Sequence, residues 1–127
     1  MAVNNAAQLY QGTKINTASP AELTLMLYEG AIKFCNKALY ALEQNDLVKV
    51  NENLIKAQKI IMEFRSTLDF KYEVAKNFEM VYDYIYRRLV DANIKKDKAI
   101  IEDALKYIRI MRDTWKEVMR RNKIYVQ

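Results

Sequence analysis

The chain of 127 residues contains no histidine, one cysteine, one proline, one tryptophan and two glycines. Without histidine it lacks the commonest general base, the commonest metal ligand and every Ser-His or Cys-His nucleophile pairing. A two-metal bundle site built on Glu-x-x-His pairs is excluded for the same reason. A single cysteine cannot close an internal disulfide, and the opening Met1-Ala2-Val3-Asn4-Asn5 offers neither the basic nor the apolar segment of a secretion signal. Long hydrophobic runs are missing too, because a charged residue recurs every few positions and no stretch approaches the roughly 20 apolar residues of a membrane span. These absences predict a cytoplasmic protein that is no enzyme, holds no cofactor or metal, and does not insert into a membrane.

Apolar residues nevertheless make up 51% of the chain, and so few glycines and prolines cannot punctuate many short strands. The apolar residues recur with helical spacing. Ser19-Pro20-Ala21-Glu22 places an N-cap hydroxyl, a proline at the first helical position and a glutamate three residues after the cap, so a helix starts there. Its inward stripe is Leu25, Tyr28, Ile32, Cys35, Leu39 and Leu42, widened by Leu27, Ala31, Phe34 and Ala38. Asn45-Asp46 caps a second helix with Leu47, Val50, Leu54, Ala57, Ile61, Phe64 and Leu68 inward. A third runs from about Tyr72 to Ala92-Asn93 with Val74, Phe78, Val81, Tyr82, Ile85 and Leu89 inward, leaving Tyr84 and Tyr86 on the surface. Asp97 caps a fourth, whose seam is Ile101, Ala104, Ile108, Met111, Trp115 and Val118.

Four helices joined by short links predict an all-α fold, an antiparallel up-down-up-down four-helix bundle over residues 19–121. Residues 1–18 fall outside the pattern and read as a mobile N-terminal arm anchored by Leu9, Tyr10 and Ile15, and residues 122–127 as a C-terminal tail. Cys35 lies on an inner stripe, which predicts a buried structural thiol. Gly30 in mid-helix costs about 1 kcal/mol relative to alanine, so a neighbouring backbone or a bound chain comes close there.

Net charge is +5, and the imbalance is confined to one half: residues 1–70 carry 7 basic and 7 acidic residues, residues 71–127 carry 14 and 9. A basic half can attract nucleic acid, which makes a helical nucleic-acid-binding protein the alternative reading. The acidic residues interspersed throughout it favour an ordinary solvated helix surface, with no nucleic-acid partner.

Thr17-Ala18-Ser19-Pro20-Ala21-Glu22-Leu23-Thr24-Leu25-Met26-Leu27-Tyr28-Glu29-Gly30-Ala31, preceded by Tyr10-Gln11, resembles the signature of the FliS family of flagellin export chaperones. Lys56 to Ile61, Tyr82 to Leu89, Ala92-Asn93 and Met111 to Trp115 are similar to that family's later helices. The similarity spans about residues 10–118, with Glu29 in place of a usual Asp, Met111 in place of a common Leu, and no glycine in Phe70-Lys71-Tyr72-Glu73. The resemblance implies a helical bundle that binds the disordered C-terminal segment of flagellin in the cytoplasm. It also implies prevention of premature polymerisation and delivery to a component of the flagellar type III export gate.

Apolar residues left over once the seams are assigned are candidates for a binding groove. On the fourth helix these are Ile100, Tyr107 and Ile110, which either form an outer patch or pack against a neighbouring helix. On the first helix Leu27 reads as core and Met26 as groove, while Trp115 reads as core with its ring edge bordering the groove. Tyr10, Gln11 and Ile15, where the family match begins, suggest a lid that covers the groove until flagellin displaces it.

Overall fold

A computed structural model describes residues 19–122 as four helices: α1 (Pro20–Glu43), α2 (Leu47–Ser66), α3 (Val74–Lys95) and α4 (Lys98–Arg121). Each helix packs on its sequence neighbours and α4 closes the ring on α1. Arg65, late in α2, pairs with Glu79, early in α3, while Asn51, early in α2, bonds Asn93, late in α3. Arg88 likewise reaches back from α3 to Asp103 near the start of α4, so the helices alternate in direction as the sequence predicted. Among the described residues no helix is long and apolar enough to cross a membrane.

The predicted caps form. Ser19 Oγ accepts the Glu22 backbone N–H at 3.2 Å, Asp46 accepts that of Lys49 at 3.2 Å, and Asp97 accepts those of Ala99 and Ile100 at 2.8 and 3.4 Å. The two short links, Gln44–Asp46 and Lys96–Asp97, share one device: a residue in the left-handed region (Asn45, φ 58°; Lys96, φ 51°) followed at once by the capping aspartate. The left-handed residue ends one helix and the aspartate starts the next. In an up-down bundle both links lie at the same end. The opposite end holds the start of α1, the end of α4 and the longer α2–α3 link, residues 67–73, and there α3 begins at Glu73 without a side-chain cap.

Leu27, Leu54, Ile60, Ile61, Ile85, Leu89, Ile101 and Ile108 are fully enclosed, each stabilising the fold by roughly 1.5–3 kcal/mol through burial. Gly30 is buried as well, on the helix that meets both α2 and α4. The core has one polar crossing. Tyr28 on α1 and Tyr82 on α3 share a hydrogen bond of 2.5 Å between their hydroxyls, and the Phe64 ring on α2 stacks on both, with centroids 4.3 and 5.5 Å away. Burial, reinforced at Tyr28 by its partner, pushes both phenols above the usual tyrosine range.

Some helix bounds and seam positions differ from the sequence reading. The third helix starts at Val74 rather than Tyr72, and the second ends at Ser66 rather than near Leu68. Leu47, Val74 and Val118, expected inward, are exposed: the first two open their helices, and Val118 lies in the last turn of α4, where few layers remain to cover them. Ile60, Leu105 and Met119, missing from the expected seams, are buried. Tyr86, expected on the surface, is half-buried against the core with the Arg65 guanidinium 6.0 Å from its ring centroid.

Replacing Tyr82 by Phe strands the buried Tyr28 hydroxyl and should cost about 1–3 kcal/mol in urea unfolding, whereas the double Tyr28→Phe, Tyr82→Phe variant should recover most of that loss. Strictly additive losses would mean that the hydroxyls are not coupled.

Candidate functional site

The α3–α4 seam differs along its length. Toward the end with the short links, Asp103 on α4 accepts hydrogen bonds from the Tyr84 hydroxyl at 2.5 Å and from Arg88 Nε at 2.8 Å, both on α3. The Tyr84 bond, then Arg88, hold the Asp103 carboxyl below the usual carboxylate range, and the same bond pushes the Tyr84 phenol up. The Tyr84 ring also meets Tyr107 on α4 edge-on, at 5.2 Å. Beyond this clamp, toward the other end, no ion pair or side-chain hydrogen bond among the described residues crosses from α3 to α4. There α4 presents Ile110 and Val118 among Asp113, Thr114, Glu117 and Arg121.

Met80 and Tyr84, one turn apart on α3, are exposed, Met80 at 71%. On α4, Tyr107 is half-buried at the base of the seam, and Ile110 and Val118 are exposed, Ile110 at 47%. Tyr107, Ile110, Thr114, Val118 and Arg121 follow the three-four spacing of one helix stripe. A shallow depression of about 540 Å³ runs along it, lined by Ile110, Asp113, Thr114, Glu117, Val118 and Arg121. Its polar lip is already partnered, since Arg120 and then Arg121 hold Glu117 down to about 2. Since the Tyr84–Tyr107 contact fixes the register of the antiparallel pair, Val74 faces the stretch of α4 around Val118. The result is an open half-seam whose exposed apolar side chains, Val74, Ile110 and Val118, alternate with polar ones, a pattern suited to an amphipathic segment's i, i+3, i+4 side chains.

A larger depression, about 1040 Å³, lies between α1 and α2, but Lys37, Asp46, Lys49, Glu52 and Lys56 give it mixed charge. Among the described residues no three His, Cys, Asp or Glu side chains converge as metal ligands. Cys35 is fully enclosed, and burial pushes its thiol up to about 12, far from the thiolate a nucleophile needs. Six of the seven arginines are engaged in ion pairs, with Glu29, Glu79, Asp83, Asp91, Asp103, Asp113 and Glu117 as partners, so phosphates would have to displace protein carboxylates.

Of the residues singled out from the sequence, Tyr107 and Ile110 come together on this half-seam, Tyr107 combining the two roles left open for it. Ile100 does not belong to a groove: it is 8% exposed and part of the core. It follows the tight Lys96–Asp97 link, which closes over an azimuth that is open about five turns later at Val118. Met26 is half-buried on α1, which does not border this seam. Trp115 is half-buried and donates its indole N–H to the Ala21 carbonyl at 3.0 Å, tying the end of α4 to the start of α1. Tyr10, Gln11 and Ile15 lie outside the described residues. Met80 and Tyr84, exposed one turn apart on α3, were not singled out from the sequence, although their i, i+4 spacing beside the inward stripe could have marked them.

The sequence matches, over residues 2–122, the family model described as flagellar protein FliS. It is 46% identical over 120 residues to the flagellar secretion chaperone FliS of Bacillus subtilis, covering 94% of this chain and 90% of that one. It is 35% identical over 115 residues to the FliS of Salmonella typhimurium (88% and 85% covered) and 30% identical over 108 residues to that of Vibrio cholerae (84% and 79% covered).

The clamp sets a pH dependence. A carboxyl depressed in the folded state contributes stability that is complete above its ordinary value of 3.8 and is lost as pH falls through the lowered folded value. The stability difference between the parent chain and Asp103→Asn should therefore be constant from neutral pH down to that value and shrink in stronger acid, as urea unfolding at a series of pH values would show. A difference that persists in acid would mean that the carboxylate charge is irrelevant to the clamp.

Proposed function

The chain belongs to the FliS family of flagellar secretion chaperones, and from that premise we propose that it binds the disordered C-terminal segment of flagellin in the cytoplasm, prevents its premature polymerisation and supports its delivery to the type III export apparatus. The observation that carries this reading is the open apolar half of the α3–α4 seam, with Met80, Tyr84, Tyr107, Ile110 and Val118 along it. Flagellin's terminal segment has apolar stripes that find partners only in the filament, and a groove of this kind supplies a temporary one. Ordering a disordered segment consumes several kcal/mol of the gross contact energy, which keeps release feasible downstream.

The N-terminal arm belongs to the same proposal. It joins the bundle at Ser19, beside the end of α4, and Tyr10 lies nine residues upstream of that junction, a reach of up to roughly 30 Å. Tyr10, Gln11 and Ile15 cover the groove in the free chaperone and leave when flagellin binds. Hydrogen exchange of the arm should accelerate on adding the flagellin segment, and unchanged protection would rule out displacement.

Calorimetry with a C-terminal flagellin peptide tests the main reading. The parent chain should bind with a negative heat-capacity change and little loss in moderate salt, unlike a nucleic-acid complex. Met80→Glu with Ile110→Glu, both on exposed positions, should weaken binding at least about tenfold, or 1.4 kcal/mol, while Tyr40→Glu on the α1–α2 face should not. No binding by the parent chain refutes the function, and full binding by a folded double variant refutes this placement of the groove.

A further inference from the structure

We propose that the outer face of α2 pairs with the same face of a second copy of this chain, antiparallel across a two-fold axis at Ile55. This pairing does not depend on the chaperone reading. Val50, Leu54, Ala57, Ile61 and Phe64 fill the inner side of α2. On the opposite side Val48, Ile55 and Met62 are exposed, Val48 at 68%. They recur every seven residues, so they form one apolar line that drifts around the helix by only about 20° per heptad. Two helices crossing at about 20° keep such lines in contact along their length.

The charges flanking this line select the occupant. On α2, Lys49 pairs with Asp46, the Lys56 ammonium lies 5.5 Å from the Phe34 ring centroid, and Arg65 holds Glu79 and Asp83. Glu52 and Lys59, both exposed, have no ion pair among the described residues. Two turns separate them, about 10 Å along the axis, so they do not pair with each other. Seven positions apart, they stand on the same flank of the apolar line. Antiparallel pairing centred on Ile55 sets Val48 against Met62 of the second copy. It also sets Glu52 against the second copy's Lys59, and by symmetry Lys59 against its Glu52. In a parallel pair opposite flanks meet, so the two charges would face Asn51 and Gln58 and stay unmatched. The face is thus complementary to itself in one orientation only. Helix α4 packs on α1 and α3, across the bundle from α2, so the α3–α4 seam stays free in both copies.

Sedimentation velocity of the full chain at concentrations up to about 1 mM tests the pairing, since a contact confined to one helix belongs to the small, transient class of interfaces. The parent chain should dimerise reversibly, and a monomer throughout overturns the proposal. Glu52→Lys or Lys59→Glu alone turns two symmetry-related pairs from attraction to repulsion and should raise the dissociation constant at least about fivefold. The double variant Glu52→Lys, Lys59→Glu should return it to within about twofold of the parent. A dimer indifferent to the single substitutions, or not restored by the double one, overturns this register. Disulfide trapping reads the orientation, and the enclosed Cys35 takes no part in it. Under mild oxidation Ile55→Cys, facing its own copy, should link into covalent dimers. Val48→Cys should not, because its two copies lie about 14 residues, or 21 Å, apart in the antiparallel pair. Equal linking of both variants overturns the antiparallel two-fold.

Discussion

The architecture depends on two tight links placed at one end of the bundle. Each stops a helix with a left-handed residue and starts the next with an aspartate cap one position later. With only three and two residues available, α1 and α2, and α3 and α4, cannot separate there. Ile100, directly after one link, is consequently enclosed, and the Asp103 clamp sits only six residues beyond Asp97. The other end has no such constraint. The α2–α3 connection is longer, the start of α3 has no side-chain cap, and apolar side chains from Phe70 to Val74 stand in solvent.

That asymmetry is what leaves one seam open. The same azimuth of α4 that is core at Ile100 is surface at Val118, because the cover changes along the axis while the stripe continues. The Tyr28–Phe64–Tyr82 stack, tying three helices together through the centre, holds the core in register while one seam stays open. Polar bridges close the neighbouring seams: Arg65 to Glu79 and Asp83 between α2 and α3, and Trp115 to Ala21 with Arg112 and Lys116 to Glu29 between α4 and α1. The open part of the α3–α4 seam is thus the place where, among the described residues, cross-helix polar pairing has been left out.

Most of the fold was legible in the sequence because caps and helical periodicity are local signals. Ser19, Asp46 and Asp97 announce their helices without any tertiary knowledge, and Cys35, Tyr82 and Leu89 fall on their stripes. What periodicity cannot give is how far along a helix its neighbours extend. Ile100 and Val118 share an azimuth and differ only in axial position, so the sequence left the first open between groove and helix packing and read the second as core, whereas the first is buried and the second exposed. For Met26, helical spacing says which side of α1 it occupies, but not which helix lies on that side. Asp103 carries no local signal of its role, since its partners Tyr84 and Arg88 are on another helix.

The bond from the Trp115 indole to the Ala21 carbonyl has a topological meaning as well. It brings the first turn of α1 against the last turns of α4, so the four described helices come close to being a ring with a small gap. A few added residues could bridge that gap, and the exposed link at residues 67–73 offers a place to cut the ring elsewhere. Such a permuted chain would keep all four helices and both tight links while placing its new ends at the link of residues 67–73.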